Sequence, residues 1–172
     1  GSLYPGKAME IIVALAKADP EYEYHIVGGN GPLEKWWTEA PSNVVFHGHI
    51  SHAEVSQVLS TFDILLLPMQ NEVQTETGGD IGQFTSPLKL FEYMAVERPI
   101  VASKLPVIEE VIEHQKHGLL ADPNDILQWK NSLKELEKDF KLRKFLVKNA
   151  HKHFIKNFTW DKRAKKVLQD LV

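Results

Sequence analysis

The feature that most constrains the fold of this sequence is a regular alternation of short apolar runs with longer segments of helical periodicity. A short apolar run bounded by Gly or Pro is typical of a strand buried on both faces. Apolar residues spaced three and four apart indicate an amphipathic helix. Strands that alternate with helices favour a parallel sheet covered by helices on both sides. The 172 residues suffice for one such domain with its own core.

The pattern predicts strands over 22–27, 43–47, 63–67, 99–102 and 118–121. It predicts helices over 7–18, 33–39, 51–60, 86–96, 107–113, 125–138, 141–156 and 160–171. Ser51 and Glu54 have the spacing of a capping box, and Ser86 with Pro87 suits an N-cap followed by the first helical residue. We therefore expect one α/β domain over 1–172, with a Rossmann-like three-layer parallel sheet and closing helices from about residue 125.

Four loops of this predicted sheet lie at one edge, which we call the rim. In open parallel sheets, ligands bind beyond the carboxyl ends of the strands. The loops at those ends cover 28–32, 48–51, 68–86 and 103–106. The third loop is long for a compact domain, and loops of such length usually serve a function. The rim is therefore the predicted ligand-binding edge.

Composition excludes several classes of function. The chain has no Cys, and its His pairs lack the spacing and acidic neighbours of a zinc site, so no metal is expected. A net charge of -3 gives no indication of nucleic acid binding. The Cys-free composition fits a reducing compartment, and no apolar run approaches the ~20 residues that span a bilayer. We expect a cytoplasmic protein.

The charge is nevertheless distributed unevenly. Residues 139–172 contain ten Lys and Arg against three Asp, a net charge of +7. The remainder of the chain therefore carries a net charge of -10. Two interpretations fit the basic segment: the solvated face of two amphipathic helices, or peripheral contact with the inner, anionic face of a membrane.

Two features of the rim suit an anionic ligand, and each also has an ordinary explanation. Lys7 opens the first helix and adds charge to a helix end that already favours anions, although surface lysines are common there. The glycines of 28–31 permit a tight turn and close approach of a ligand, or they form a plain strand-to-helix connection. Neither spacing matches a Walker loop or the dinucleotide fingerprint.

The helix predicted over 86–96 is more informative. Lys89 follows Ser86 by about one turn, and Glu92 follows Lys89 by another. The N–H groups at the helix start suit a phosphate, and the Glu92 carboxylate can accept two hydrogen bonds from a vicinal diol such as a ribose. An ordinary surface pair between Lys89 and Glu92 explains the same spacing. The spacing alone leaves both interpretations open.

Taken in order, several segments resemble the C-terminal domain of GT-B glycosyltransferases of family 4. The matching segments are residues 1–7, 25–32, 43–50, 63–68, 86–95, 98–103, 110–112 and 118–120. The resemblance implies that the chain is the donor-binding half of a retaining, hexosyltransferase-like enzyme. Such an enzyme transfers a sugar from a UDP- or GDP-sugar to a glycan or lipid-linked acceptor, without a metal, as in bacterial-type polysaccharide biosynthesis.

The resemblance also assigns roles by position. Lys7 matches a lysine that contacts the diphosphate, and Glu92 matches the second glutamate of a paired motif that holds the ribose; we take both as catalytic. His49 and Ile50 fall on the loop whose backbone reads the base. The other donor-binding candidates are Ser2, Gly29, Asn30, Gly31, Ser86, Leu88 and Lys89.

Three positions depart from the family pattern. Ser2 stands where Arg is frequent, Ala8 stands where Gly is usual, and Phe84 replaces the first glutamate of the pair, although a family variant shares the sequence of 86–89. The usual acidic contact with the donor sugar must then come from elsewhere, with Asp80 or Glu76 as candidates.

The resemblance further implies a missing N-terminal acceptor domain and a missing, normally central, strand before Gly1. Two alternatives keep the fold but change the function: a sugar-nucleotide epimerase or hydrolase, and a non-catalytic nucleotide-binding module. The sequence specifies no oligomeric state.

Overall fold

The computed structural model describes residues 9–29, 34–70, 87–162 and 164. The strands in these ranges are β1 (Tyr24–Val27), β2 (Val44–Gly48), β3 (Leu65–Leu67), β4 (Ile100–Ser103) and β5 (Leu119–Ala121). The helices are α1 (Met9–Ala18), α2 (Glu34–Glu39), α3 (Val55–Leu59), α4 (Leu88–Ala95), α5 (Pro106–Glu109), α6 (Ile126–Lys138) and α7 (Phe140–Asn157). A 3-10 turn, His52–Glu54, precedes α3, and residues 160–162 are also helical. The predicted alternation is confirmed.

All strand pairs are parallel, and within the described ranges they form a two-stranded and a three-stranded sheet. β1 pairs with β2, with Tyr24 opposite Val44, and β3, β4 and β5 pair in that order, with Leu66 opposite Val101. Within the described ranges, β1 and β3 are edge strands that do not hydrogen-bond to each other. The family resemblance implied that a normally central strand is missing, and within the described ranges no strand joins β1 to β3. Both sheets still contribute side chains to one core cluster.

The three layers follow from the alternation of side chains along β4. Val101 points into one core cluster, whereas Ile100 and Ala102 point into another, and all three are fully buried. The first cluster contains helix residues such as Leu15, Trp129 and Leu146, and the second contains Leu90, Met94 and Ile108. Because helices cover both faces of this strand, the α/β three-layer class is confirmed.

Capping side chains fix where the long helices begin. The Asp125 carboxylate accepts from the N–H groups of Leu127 and Gln128 at 3.0 and 3.1 Å, so α6 starts at Ile126. Asp139 accepts from the N–H of Leu142 at 2.8 Å and caps α7 in the same way. The capping box predicted for Ser51 and Glu54 is present at the 3-10 turn.

The start of α4 differs from the prediction by one residue. Pro87 has φ -78° and ψ 62°, which is not helical, so it occupies the N-cap position and the helix begins at Leu88. Ser86, the predicted N-cap, lies outside the described residues. The Leu90 N–H donates to the Pro87 carbonyl at 2.8 Å and closes the first turn.

Candidate functional site

Two glycine turns meet at the carboxyl ends of β1 and β2. Gly28 and Gly29 have φ of 114° and 123°, and Gly48 has φ of 71°. Side chains rarely tolerate such left-handed backbone, which accounts for glycine at these positions. The Gly28 N–H donates to the Gly48 carbonyl at 2.7 Å, so the two turns are joined. Gly29 and Gly48 are half-buried, and a Cβ at Gly48 would meet nothing within 4 Å, so a ligand can approach the backbone there.

Ser103 fixes the carboxyl end of the second sheet. Its Oγ accepts a hydrogen bond from the Met69 N–H at 2.7 Å and donates one to the Met69 carbonyl at 2.7 Å. Both residues are buried. The hydroxyl thereby ties the end of β4 to the segment that follows β3. The chain therefore leaves the sheet at a fixed point before the long rim loop.

α4 carries the remaining candidates that the structure describes. The Tyr93 hydroxyl donates to the Leu66 carbonyl at 3.2 Å and anchors the helix to the edge strand β3. Burial raises the pKa of Tyr93, and the nearby Glu92 carboxylate raises this pKa further. Glu92 and Lys89 are half-buried, whereas Leu88 is 57% exposed. Leu88, the first residue of α4, is thus open to solvent, and Glu92 lies one turn further along the helix.

The predicted site residues fall into three groups. Gly29, His49 and Ile50 follow the strands of the first sheet, with His49 exposed and Ile50 half-buried. Leu88, Lys89 and Glu92 lie on α4, which follows the first strand of the second sheet. The remaining candidates lie outside the described residues: Ser2, Lys7, Asn30, Gly31, Asp80 and Ser86, together with Glu76 and Phe84.

The sequence did not reveal the roles of Tyr93 and Ser103. Both hydroxyls stabilise the rim through backbone carbonyls. Tyr93 donates to Leu66 of β3, and Ser103 donates to Met69 just after β3. For Tyr93, the sequence offered one signal, its position beside Glu92 in a predicted helix. For Ser103, it showed merely that a polar residue ends an apolar run. His47 belongs to a His pair whose spacing does not suit zinc. Its Nε2 atom lies 2.7 Å from the Nδ1 atom of His25 on β1.

The described residues show no metal centre and no membrane-spanning helix. Within those ranges, no three His, Cys, Asp or Glu side chains converge as ligands of one ion would. None of the helices in the same ranges combines the length and apolarity needed to cross a bilayer.

Parallel strands between two helix layers, with glycine turns and a helix start at the carboxyl ends, define the Rossmann-like class of ligand-binding α/β domains. The model of the family "Glycosyl transferases group 1" matches residues 4–139. The chain therefore belongs to this family and is a glycosyltransferase domain of the GT-B type. The family resemblance predicted from the sequence is confirmed.

Individual relatives agree with this assignment. An uncharacterised glycosyltransferase of Methanocaldococcus jannaschii is 26% identical over 178 residues, which are 99% of this chain and 47% of that protein. The crystal structure of Anabaena HepE in complex with UDP has a TM-score of 0.83 at 18% identity, covering 99% of this chain and 46% of that one. The C-terminal domain of the Francisella tularensis protein LpcC has a TM-score of 0.72 at 20% identity, covering 93% and 84%.

The chain thus spans about half the length of the first two of these proteins.

Proposed function

We propose that this chain is the donor-binding half of a retaining glycosyltransferase and holds a nucleoside-diphosphate sugar at the rim. The observation that carries the proposal is the joined pair of glycine turns, in which the Gly28 N–H donates to the Gly48 carbonyl at 2.7 Å. Such turns let a ligand approach backbone atoms that a side chain would otherwise shield. The Anabaena protein was crystallised with UDP and with UDP-glucose, which supports a UDP-sugar as the donor.

In this proposal the donor lies across both halves of the rim. The turn at Gly29, with Asn30 and Gly31, contacts the phosphates or the sugar, and the backbone of His49 and Ile50 reads the base. The first turn of α4 offers backbone N–H groups and the positive end of the helix dipole to the diphosphate. The donor contacts assigned to this turn are Ser86, Leu88 and Lys89, and Ser2 is also assigned to donor binding.

Two charged side chains carry the chemistry. Lys7 stabilises the negative charge that develops on the leaving diphosphate, so that cationic groups and helix ends do the work that a metal does elsewhere. Glu92 accepts hydrogen bonds from the ribose hydroxyls. Because Phe84 replaces the usual acidic contact with the sugar, we assign that contact to Asp80.

The remainder of the enzyme is proposed to come from outside this chain. An N-terminal domain would supply the acceptor site, which fits the double length of the archaeal relative. We also propose that one more parallel strand lies between β1 and β3. Both are edge strands in the described residues, and both sheets bury side chains in one shared cluster, so a strand between them would close the sheet.

Titration of the protein with UDP, GDP and ADP tests the donor site. We expect Glu92→Ala to weaken binding of the preferred nucleotide by about tenfold or more, the scale of a charged hydrogen bond. Glu135→Ala is the matched control, because Glu135 is an exposed helical glutamate on α6. If no nucleotide binds at millimolar concentration, the donor site itself is excluded.

A double-mutant cycle isolates the ribose contact. Removing the ribose hydroxyls from the nucleotide is expected to weaken binding to the wild type and to leave binding to Glu92→Ala nearly unchanged. Equal losses in both proteins would show that Glu92 does not contact these hydroxyls.

A non-catalytic nucleotide-binding module is the second candidate function. The observation that favours it is the loss of two family residues, at Ser2 and Phe84, which leaves one cation and one carboxylate unaccounted for. Sugar transfer by the full-length protein from a panel of sugar nucleotides separates the two functions. Product analysis in the same assay detects an epimerase or a hydrolase.

We further propose that α7 contacts an anionic membrane surface. This helix has no acidic residue, and its exposed side carries five lysines together with the half-exposed Phe145 and Ile155. The lysines are Lys141, Lys144, Lys148, Lys152 and Lys156. Each lysine near an anionic surface contributes about 1 kcal/mol. Cosedimentation with anionic but not with neutral vesicles is the expected result, and equal binding to both would contradict it.

A further inference from the structure

A pocket separate from the rim lies between α7 and the loop that precedes β5. Its volume is about 310 Å³. The side chains that matter for its chemistry are Lys116, His117, Asn149, Lys152, His153 and Lys156. Every one of these can donate hydrogen bonds, and the lining residues include no carboxylate.

The pocket opens at the edge of the sheet opposite the rim. His117 precedes β5, so it lies at the amino end of a strand that runs parallel to β4. On α7, His151 contacts the carbonyl of Met94 at the C-terminal end of α4, 3.2 Å away. Because α4 starts at the rim and ends at Met94 and Ala95, this part of α7 also lies away from the rim. The pocket is therefore not part of the proposed donor site.

The two histidines present a defined pair of N–H donors. The Nδ1 atom of His117 accepts from the Glu113 N–H at 3.1 Å, and the Nδ1 atom of His153 accepts from the Asn157 amide at 3.0 Å. In the neutral form, each ring must then carry its proton on Nε2. The rings stack with centroids 4.4 Å apart. The structure describes no acceptor for either Nε2 atom among the residues it covers.

The pocket also holds unneutralised positive charge. The Lys116 ammonium pairs with the Glu113 carboxylate at 2.7 Å. In contrast, Lys152 and Lys156 have no carboxylate within 4.0 Å in the part of the chain that the structure describes. These two lysines lie one turn apart on α7, so their ammonium groups can reach the same ligand.

The electrostatics of the histidine pair are consistent with a bound anion. His117 is only 4% exposed, and burial, followed by repulsion from His153, holds the pKa of its imidazole below its usual range. An anion between the rings and the lysines would offset that repulsion and raise the pKa of the His117 imidazole. Two Nε2 donors and two ammonium groups suit a ligand with several acceptor oxygens and at least one negative charge.

We propose that this pocket binds a phosphate group that belongs to a ligand other than the sugar nucleotide. The phosphate oxygens accept from Nε2 of His117 and His153 and from the ammonium groups of Lys152 and Lys156. Two sources share this chemistry, a soluble phosphate compound and the phosphate of an anionic lipid headgroup. The inference does not depend on the donor site, since the two sites share no residue.

The test titrates the full-length protein with inorganic phosphate and with vesicles of phosphatidylglycerol or phosphatidylcholine. We expect phosphate to bind, to raise the pKa of His117 and to shift the ring resonances of His153, and NMR of labelled histidines follows both changes. The double variant K152Q/K156Q is expected to weaken phosphate binding by about tenfold or more. The control K144Q/K148Q removes equal charge from the same exposed side of α7, at positions that do not line the pocket, and should change phosphate affinity less than about twofold.

The vesicle arm identifies the source. Suppose that the protein binds phosphatidylglycerol vesicles and that K152Q/K156Q weakens this binding more than K144Q/K148Q does. The phosphate is then that of a lipid headgroup. If phosphate binds with the expected dependence and the vesicles do not, the ligand is a soluble phosphate compound. The proposed phosphate site would be overturned if phosphate shifted the resonances of neither histidine. It would also be overturned if the two double variants lost phosphate affinity equally. Nucleotide titration of K152Q/K156Q should remain unchanged, which keeps this result separate from the donor site.

Discussion

Replacing Ser103 by Ala removes the hydroxyl that ties the end of β4 to the segment that follows β3. In the wild type, this Oγ accepts from the Met69 N–H and donates to the Met69 carbonyl, each at 2.7 Å. Ser103 is fully buried and Met69 is 5% exposed. After the substitution, water reaches neither backbone group easily, and both lose their partner. The side-chain volume lost is a single oxygen atom, so packing changes contribute little.

The expected cost follows from these two orphaned groups. A buried backbone donor or acceptor left without a partner costs about 1–3 kcal/mol. We therefore expect Ser103→Ala to lower the free energy of unfolding by about 3 kcal/mol. A loss of this size is a large fraction of the stability of a typical domain.

Urea unfolding measures this loss against a matched control. Ser132 is also buried, but its Oγ donates to the Gln128 carbonyl one helical turn earlier on α6. Because the helix keeps its own hydrogen bonds, Ser132→Ala is expected to change stability by less than about 0.5 kcal/mol. Hydrogen exchange of the Met69 amide should accelerate only in Ser103→Ala. If the two variants unfold at the same urea concentration, the Ser103 hydroxyl does not secure the rim.

Two further predictions concern buried or partly buried charge. Lys130→Met is expected to lower the free energy of unfolding in urea by about 2 kcal/mol, because the buried Asp19 carboxylate lies 2.9 Å from the Lys130 ammonium. The Lys134 ammonium lies 3.7 Å from the same carboxylate, and Lys134→Met should lower this free energy by less than about 0.5 kcal/mol. Similar losses in both variants would contradict this. Burial and the nearby His153 hold the pKa of His117 below its ordinary value of 6.5. Just below pH 6.5 the unfolded chain therefore binds more protons at His117 than the folded chain does. The free energy of unfolding should fall as the pH decreases through that range. Unfolding measured at several pH values should show a smaller decrease in stability for His117→Gln. An unchanged slope would mean that other groups cause the decrease.

Local sequence patterns predicted the elements well because the causes of those elements are local. The run from Pro99 to Ala102 is apolar throughout, and β4 occupies nearly the same residues because both faces are covered. The helix predicted from Asp125 is present and begins one residue later, at Ile126, because the Asp125 carboxylate caps it. The strand predicted from Tyr22 begins instead at Tyr24. The Tyr22 hydroxyl bonds Glu137 at the end of α6, a contact 115 residues away that no local pattern contains.

The arrangement of the strands and the stabilisation of the rim could not be predicted in the same way. Which strands are neighbours depends on contacts distant in sequence, so the local pattern gave parallel strands but not their order. Only the family resemblance implied that a central strand is missing. A serine at the end of an apolar strand has no distinguishing signal until Met69 is placed beside it. The glycine turns were easier to predict, because a left-handed backbone conformation is itself a local requirement for glycine.

The division of the sheet has a consequence for how a donor would act on stability. The proposed donor contacts are split between the turns after β1 and β2 and the first turn of α4, so a bound nucleotide would join elements that the described strands do not join directly. A ligand that binds only the folded state at one hundred times its Kd adds about 2.7 kcal/mol to the free energy of unfolding. If Glu92→Ala weakens binding tenfold, the same ligand concentration should add about 1.4 kcal/mol less. Thermal or urea unfolding with and without the preferred nucleotide measures both values. Equal stabilisation of the wild type and of Glu92→Ala would mean that the nucleotide is held without the α4 carboxylate, even if it binds at the rim.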